Sequence, residues 1–341
     1  MVHRDNNNDN KYNKVAVLGA GRWGSAFAIY LQRLNFSVTL YSYGEDSVRQ
    51  IKGFGYSSYL PNYSFAKPIN VYSDINRAVA DQDLIVIAIP TPFLEDELAN
   101  ITNLSPKTII IGISKGMVGK KLQLIPELVS DIFPKNSYFH LGGPCFPDGL
   151  LGKGAIASET LAGKDNKLAL ILQEKLSSAS LRLYLSSDVK GVAFLGAVKN
   201  VFAIAAGVIE GAKLNDELRA ILVTRGLTEI TRLGKIFKVN PSTIYGLSGL
   251  GDLVLTCYSS QSSHNCRLGK LITEQGSVSR ALELMGRSVP EGYFATKLLQ
   301  QLAHKHNIDT PLIMAVYSLL YENKSVDKIL ISLMSRPLKK E

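Results

Sequence analysis

The stretch KVAVLGAGRWGSAFAIYLQRL, from Lys14 to Leu34, decides the fold class. It places the spacing G-x-G-x-x-G at Gly19, Gly21 and Gly24, directly after a short apolar run and directly before a helical pattern. In that position the first glycine permits a tight turn, the second lets a pyrophosphate approach the backbone, and the third allows the helix to pack closely on the strand. The motif therefore predicts a dinucleotide-binding loop. The alternative is that the three glycines serve only the turn.

Around this stretch, the first half of the chain alternates short aliphatic runs with helical patterns. After a strand over 15–18 and a helix over 25–34, we predict further strands over the runs 38–41, 84–89, 108–113 and 138–141. Continuous β-branched runs separated by helices are typical of a parallel sheet covered on both faces. From residue 190 the pattern becomes helical. The sequence thus predicts an α/β fold, with a Rossmann-type doubly wound sheet domain over 14–189 followed by an all-helical, substrate-binding C-terminal domain over 190–341.

The composition limits the kinds of partner. Of 341 residues 46% are apolar and 20% charged, and the formal net charge is +9. The basic residues are dispersed, and their densest cluster is the pair Lys339–Lys340, so the charge predicts attraction for phosphorylated metabolites and no nucleic-acid site. The Asn-rich segment over 1–13 lacks the apolar core of a secretory signal, and we predict that it is a disordered tail.

Cysteine usage and hydropathy predict the compartment. The cysteines Cys145, Cys257 and Cys266 give an odd count without a C-x-x-C pair, which predicts neither a disulfide framework nor a metal site and fits a reducing compartment. The most apolar stretch, over 192–212, carries Lys199 and Asn200 near its centre. Because an ionisable group at mid-bilayer is costly, we predict a buried helix and not a membrane span. The expected location is the cytoplasm.

Two polar features of the helical half are candidates for chemistry. Lys199 is surrounded by apolar residues, so its ammonium either reaches solvent at the helix edge or is buried with a lowered pKa, able to exchange a proton near neutral pH. The stretch GLGDLVLTCYSSQSSHNCRLG over 249–269 supplies Asp252, Ser263, His264 and Asn265. These side chains suit a small polyhydroxy phosphate, or they form a solvated surface.

Together these motifs resemble those of the NAD(P)-dependent sn-glycerol-3-phosphate dehydrogenases of bacteria and of the eukaryotic cytosol. The resemblance runs from about Lys14 to about Lys324. The motifs that carry it are GAGRWGSAFA, YLP at 59–61, ISKGM at 113–117, GGPCF at 142–146, GAVKNVFAIAAG at 196–207, LVTRGLTE at 222–229, GLGDLVLTC at 249–257 and PEG at 290–292.

The resemblance implies a role for individual residues. Lys199 matches the general acid/base that exchanges a proton with the substrate while the reduced nicotinamide transfers a hydride to dihydroxyacetone phosphate, and Lys115 and Asp252 complete the implied catalytic group. The implied substrate contacts are Lys115, Gly143, Cys145, Lys199, Asn200, Asp252, Ser263, His264 and Asn265. The implied cofactor contacts are Gly19, Gly21, Arg22, Trp23, Gly24, Tyr43, Lys115, His264, Val289 and Glu291. No metal is implied.

The sequence departs from the family pattern at several positions. His264 stands where an arginine is usual, Cys145 replaces a hydroxyl, Pro147–Asp148 follow it in place of Ala and Lys or Glu, and Arg22 replaces a serine. Tyr43 occupies a place that is commonly basic. No acidic residue or arginine ends the second strand, so the sequence leaves the choice between NAD and NADP open. These departures predict weak binding of glycerol 3-phosphate, or a preference for a related phosphate.

Other functions remain alternatives at this point. One is a related dehydrogenase that acts on another hydroxy acid or polyol phosphate. Another is a catalytically silent NAD(P)-binding sensor or scaffold, which would bind cofactor without turnover. The resemblance further implies a homodimer that supplies glycerol 3-phosphate for phospholipid synthesis.

Overall fold

The computed structural model describes residues 12–119, 121–286, 289–338 and 340. The predicted tail over 1–13 therefore lies outside the described residues, except for Tyr12 and Asn13. The chain divides into two compact units. The first unit consists of Met1–Ser114, Ile125–Leu141 and Cys145–Val189, and the second of Lys115–Leu124, Gly142–Pro144 and Lys190–Glu341.

This division differs from the predicted one in two short segments. We expected each domain to be one continuous stretch, whereas Lys115–Leu124 and Gly142–Pro144 belong to the second unit although they lie between strands of the first. Met117 and Leu124 are buried in the core of the second unit. A short local pattern shows that such residues are apolar, but it does not show which of two cores they join.

The first unit is built on an eight-stranded sheet. The strands are β1 (Lys14–Leu18), β2 (Ser37–Tyr41), β3 (Asn70–Tyr72), β4 (Leu84–Ile87), β5 (Ile109–Gly112), β8 (Tyr138–Gly142), β9 (Ala157–Gly163) and β10 (Leu181–Ser186), and β6 (Met117–Val118) and β7 (Gln123–Leu124) form a separate hairpin. The sheet order is β10-β9-β8-β5-β4-β1-β2-β3. The pairs β1–β2, β1–β4, β2–β3, β4–β5, β5–β8 and β9–β10 are parallel.

Three strands of this sheet and the hairpin were missed by the sequence analysis. β3 has only three residues, and β9, with the sequence ASETLAG, interrupts its apolar residues with polar ones. β10 is an edge strand in which buried and exposed residues alternate at first, so it lacks the continuous aliphatic run that marked the inner strands. Within the described part of 190–341 the secondary structure is helical, as predicted, and the β6–β7 hairpin joins the second unit from outside that range.

The strand order creates a switch point beside β1. The chain proceeds outward from β1 through β2 to β3 and then returns to β4, on the other side of β1. Ligands of doubly wound sheets bind in the crevice beyond the carboxyl ends of the strands at such a reversal. The glycine loop follows β1 and therefore lies at this crevice.

Helices complete both units. Those of the first unit are α1 (Arg22–Arg33), α2 (Glu45–Phe54), α3 (Ile75–Val79), α4 (Thr91–Ala99), α5 (Ile125–Ile132), α6 (Pro147–Leu151) and α7 (Asn166–Leu176). After these come α8 (Val189–Gly211), α9 (Asp216–Gly234), α10 (Pro241–Ile244), α11 (Asp252–Tyr258), α12 (His264–Gln275), α13 (Val278–Met285), α14 (Glu291–Lys305), α15 (Pro311–Tyr321) and α16 (Val326–Met334). A 3₁₀ turn covers Lys235–Phe237 and a π-helical turn covers Leu247–Gly251.

The helix α8 forms the centre of the second core. It is long and apolar enough to cross a membrane, but 94% of its most apolar window is buried inside the protein. Its residues Phe194, Leu195, Val198 and Phe202 are within 1% of complete burial. A helix that is apolar on nearly all sides is the expected centre of a helical core.

Candidate active site

The glycine loop of the first unit has the geometry that its spacing predicts. Gly19 adopts φ +118°, and a Cβ there would lie 2.7 Å from the carbonyl oxygen of Ala88, just past the end of β4. A Cβ at Gly24 would lie 2.0 Å from the carbonyl oxygen of Gly19. At Gly21, by contrast, an added Cβ would meet nothing within 4 Å. Two glycines are therefore required by packing, and the third leaves the backbone open to a ligand.

The N-terminus of α1 is prepared for an anion. Gly21 is its N-cap, no side chain caps it, and its first turn contains no acidic residue. The loop is held in place by Ser25 and Ser57, whose hydroxyls donate to the carbonyl oxygen of Ala20 over 3.0 and 2.7 Å. Unpaired N–H groups at the positive end of a helix are a binding site for phosphate. These residues fit the pyrophosphate of a dinucleotide.

Arg22 and Trp23 follow the open glycine. Arg22 Nη2 donates to Asp148 Oδ2 over 2.9 Å, and the Tyr63 hydroxyl donates to Asp148 Oδ1 over 3.0 Å. Trp23 packs against Phe27, with ring centroids 6.4 Å apart. The arginine is thus ion-paired within the first unit, and the indole is anchored in its core.

The end of β2, where a ribose would be recognised, is open. Tyr43 is 82% exposed, and the side chains that follow it are engaged with neighbours: Glu45 with Ser73, and Asp46 with Arg49. Glu45, Asp46 and Arg49 are thus each paired with another side chain and are not unpaired groups facing the ribose or a 2′-phosphate. The end of β2 therefore favours neither NAD nor NADP, in agreement with the sequence.

Two lysines and one carboxylate meet in the second unit. Asp252 is the first residue of α11, directly after the π-helical turn, and it accepts from Lys199 through Oδ1 and from Lys115 through Oδ2, the latter over 3.0 Å. Lys115 Nζ also donates to the carbonyl oxygen of Gly143 over 3.2 Å. The three charged side chains come from three separate stretches of sequence.

Packing fixes each member of this group. The stem of Lys115 lies over α8, since a Cβ at Gly196 would lie 3.5 Å from Lys115 Cγ. Gly249, in the turn before Asp252, has no room for a side chain because a Cβ would lie 2.0 Å from the carbonyl oxygen of Ile244. Asp252 and Lys199 are 1% and 4% exposed.

The surroundings of Lys199 change its proton affinity. Burial lowers the pKa of Lys199 from 10.5 to about 8; the carboxylate of Asp252 opposes this shift, and the positive charge of Lys115 adds to it. The pKa thus lies close to physiological pH. A lysine held in this way can both give and take a proton in that range.

Thr256 is a member of this group that the sequence analysis missed. Lys199 Nζ donates to Thr256 Oγ1 over 2.8 Å, and Thr256 Oγ1 donates to the carbonyl oxygen of Asp252 over 2.6 Å. The signal was present in GLGDLVLTC, because Thr256 follows Asp252 by four residues, which is one helical turn.

A chain of amide hydrogen bonds lies beside the lysines. Asn265 Oδ1 accepts from the backbone N–H of Gly292 over 2.8 Å, Asn265 Nδ2 donates to Asn200 Oδ1 over 3.0 Å, and Asn200 Nδ2 donates to the carbonyl oxygen of Gly196 over 3.3 Å. A Cβ at Gly292 would lie 2.5 Å from Asn265 Oδ1. The two asparagines therefore join α8, α12 and the start of α14.

The other predicted residues of the second unit are sequence neighbours of the members of this amide chain. Ser263 is the N-cap of α12 and accepts from the N–H of Cys266 over 3.2 Å, and half-buried His264 is the first residue of that helix. Glu291 begins α14 next to Gly292, and Val289 is 38% exposed two residues earlier. The stretch 263–265 is thus a helix start and not a loop, and Ser263 is buried. The prediction of a solvated surface does not hold for it.

Cys145 is the predicted substrate contact that does not belong to the second unit. It belongs to the first unit, where it is buried and its thiol donates to the carbonyl oxygen of Phe146 over 3.5 Å. Within the described residues, no three His, Cys, Asp or Glu side chains are grouped as metal ligands.

Comparison with known proteins agrees with this geometry. Residues 14–169 match the family model for the N-terminus of NAD-dependent glycerol-3-phosphate dehydrogenase, and residues 188–331 match the model for its C-terminus. The glycerol-3-phosphate dehydrogenase [NAD(P)+] of Thermoanaerobacter sp. is 33% identical over 329 residues, which are 96% of this chain and 98% of that protein. That of Chlorobium phaeobacteroides is 35% identical over 334 residues, covering 96% and 99%.

A crystal structure provides the same match in three dimensions. Glycerol-3-phosphate dehydrogenase of Coxiella burnetii superposes with a TM-score of 0.87 at 33% identity, covering 95% of this chain and 99% of that one. With both family models and near full-length relatives in agreement, the chain belongs to the NAD(P)-dependent glycerol-3-phosphate dehydrogenase family.

Proposed function

We propose that this enzyme interconverts dihydroxyacetone phosphate and sn-glycerol 3-phosphate with Lys199 as the general acid/base. One observation carries the assignment: Lys199 is 4% exposed and paired with Asp252, and its burial lowers its pKa to about 8. When bound, the nicotinamide supplies or accepts the hydride.

The direction of the reaction decides whether Lys199 donates or accepts a proton. Below pH 8 the side chain is mostly protonated, so it donates to the oxygen that becomes the 2-hydroxyl when the ketone is reduced. In the reverse direction the neutral amine accepts that proton. A positive charge beside the forming alkoxide also stabilises it, and this stabilisation is strong in a buried site.

Asp252, Lys115 and Thr256 act on Lys199 and on the substrate. Asp252 and Thr256 hold the Nζ atom through two hydrogen bonds, which leave the ammonium one further donor position. The ammonium of Lys115 pairs with the other carboxylate oxygen of Asp252, and the Lys115 side chain is 16% exposed. We propose that Lys115 contacts the substrate directly. Asn200, next to Lys199 on α8, and the backbone of Gly143 are the proposed neighbouring substrate contacts.

The assignment is tested with Lys199→Ala. We expect cofactor binding to persist while the catalytic rate falls by about 10²- to 10⁴-fold in both directions, the usual contribution of a general acid/base. Lys190→Ala is the matched control, because Lys190 is an exposed lysine of the same helix. A catalytically silent sensor or scaffold would instead bind cofactor without turnover, and the variant would behave as its parent does.

The substrate and the cofactor are decided by one assay. Oxidation of NADH and of NADPH is followed with dihydroxyacetone phosphate and with a small set of other hydroxy-acid and polyol phosphate precursors. We expect turnover with dihydroxyacetone phosphate, and saturation at ordinary micromolar concentrations would contradict the weak binding that the departures from the family pattern predict. A higher kcat/KM for another compound would assign the enzyme to a related reaction.

We also propose a cytoplasmic homodimer that supplies glycerol 3-phosphate for phospholipid synthesis. The three cysteines are free and buried, which suits a reducing compartment. No residue of α16 is buried, and its Ile331 and Met334 are 68% and 83% exposed, which supports contact with a second copy. Sedimentation of the protein and of Met334→Asp tests the dimer, and growth of a depleted strain with added glycerol 3-phosphate tests the supply.

A further inference from the structure

Arg22 places a positive charge where the fold already has one. It is the first residue of α1, next to the open backbone of Gly21. The N-terminus of a helix carries a partial positive charge, so a cation at this position is unfavourable unless an anion is near. An uncharged side chain at this position would not require a nearby anion.

In the protein by itself, Asp148 supplies the anion. It lies on α6 and accepts from Arg22 Nη2 over 2.9 Å, while Tyr63 donates to its other oxygen over 3.0 Å. Both charged side chains are partly exposed, at 34% and 49%. Arg22 and Asp148 both stand at positions where this sequence departs from the family pattern, and the structure brings these two departures together.

The ion pair leaves Arg22 incompletely satisfied. Its Nε atom is buried and has no hydrogen-bond acceptor among the described residues. A guanidinium binds most strongly when two of its N–H groups meet two oxygens of one anion. Asp148 takes one such group, so the site retains capacity for a ligand with more oxygens.

We propose that Arg22 binds the pyrophosphate of the nicotinamide cofactor, and that Asp148 is the counter-ion it gives up when the cofactor arrives. The inference rests on the proposed role of the glycine loop. Two phosphate groups offer acceptors for both Nε and Nη2 of Arg22, and their negative charge also interacts favourably with the positive N-terminus of α1. Tyr63 keeps its hydrogen bond to Asp148, which gives the displaced carboxylate a partner.

The proposal predicts opposite effects for the two partners. The dissociation constants of NADH and NADPH are measured by their fluorescence without substrate. Arg22→Ser should weaken both cofactors by about tenfold, the effect of losing one charge-assisted contact. Asp148→Asn should tighten both several-fold, because Arg22 no longer has to leave an anion. The double variant should match Arg22→Ser, since Asp148 acts only through Arg22.

Arg33→Ala is the matched control. Arg33 also lies on α1 and donates to the carbonyl oxygen of Leu151 on α6 over 2.9 Å, so its loss removes a purely structural link between the same two helices. It should leave both dissociation constants unchanged. If Asp148→Asn leaves binding unchanged or weakens it as Arg33→Ala does, the pair is only a structural link and the inference is wrong.

Two further outcomes would overturn it. A loss confined to NADPH in Arg22→Ser would show that Arg22 contacts the 2′-phosphate and not the pyrophosphate. If the unaltered protein binds neither cofactor, the inference and the proposed function fail together. If it binds and turns over normally while the two variants do not differ, only the inference fails.

Discussion

Lys199 and Asp252 form an ion pair in which the side chains are only 5% and 1% exposed. Such a pair contributes little net stability, because removing two charges from water costs about as much as their attraction returns. Its value in the proposed mechanism is therefore positional. Asp252 keeps the ammonium at one place in an apolar helix, and burial with the neighbouring charge of Lys115 sets its pKa near 8.

The first prediction concerns pH. Reduction of dihydroxyacetone phosphate requires protonated Lys199, so kcat/KM for that direction should fall as pH rises through about 8. Oxidation of glycerol 3-phosphate requires the neutral amine and should rise over the same interval. Initial rates in both directions between pH 6 and 10 check this, with Lys190→Ala expected to keep the parent profile. Profiles that lack opposite slopes near pH 8 would assign the proton to another group.

The second prediction is for Asp252→Asn. The substitution keeps the size of the side chain but leaves two lysines without their shared counter-ion, so we expect a loss of about 3–5 kcal/mol in the free energy of unfolding. Asp46→Asn is the control, because Asp46 pairs with Arg49 on the surface and its loss should cost at most about 1 kcal/mol. Urea unfolding measures both. Equal losses in the two variants would mean that removing the buried carboxylate costs no more free energy of unfolding than removing the surface one.

The third prediction concerns the amide chain. The N–H of Gly292 can only donate, so it fixes which end of Asn265 faces it, and Asn265 in turn fixes the orientation of Asn200. Asn265→Asp preserves the first bond but sets an oxygen against Asn200 Oδ1. We expect a raised KM for cofactor and substrate together with a smaller change in kcat.

Gly292→Ala tests the same chain from its other end. The added Cβ would lie 2.5 Å from Asn265 Oδ1 and 2.6 Å from the carbonyl oxygen of Asn200, so it should reproduce the pattern of Asn265→Asp. Ser277→Ala, which removes the side-chain cap of α13 outside the site, should leave both KM values within about twofold while lowering stability by about 1 kcal/mol. If Asn265→Asp raises only the substrate KM, Asn265 is a direct substrate contact.

The parts that the sequence predicted well are those with strong local periodicity. Inner strands such as β4 and β5 are continuous aliphatic runs, and the glycine loop has its signature in six residues. The family motifs also predicted that Lys115, Lys199 and Asp252 form one catalytic group, and in the structure both lysines donate to Asp252. Thr256 and the ion pair of Arg22 with Asp148 escaped prediction. A hydrogen bond between residues that are 126 positions apart leaves no local pattern.

The fourth prediction follows from Glu229, which is 2% exposed on α9 and accepts from the N–H groups of Leu312 and Ile313 at the start of α15 over 2.6 and 3.1 Å. Burial raises its pKa from 4.5 to about 7, although these two bonds oppose the shift. A folded pKa above the unfolded one contributes stability that is fully present below pH 4.5 and is lost as pH rises through 7.

Glu229→Gln separates this contribution from the rest of the protein. Glutamine is uncharged like the protonated carboxyl, but its amide nitrogen cannot accept from the second N–H group, so the variant should be less stable than the parent near pH 4.5 and gain on it by up to about 3 kcal/mol between pH 4.5 and 8. Glu283→Gln, at an exposed residue paired with Arg280, should follow the parent at every pH. Denaturant unfolding between pH 4.5 and 8 measures the difference. If the curves of parent and Glu229→Gln run parallel, the carboxyl of Glu229 stays ionised in the fold and its two backbone bonds outweigh the cost of burial.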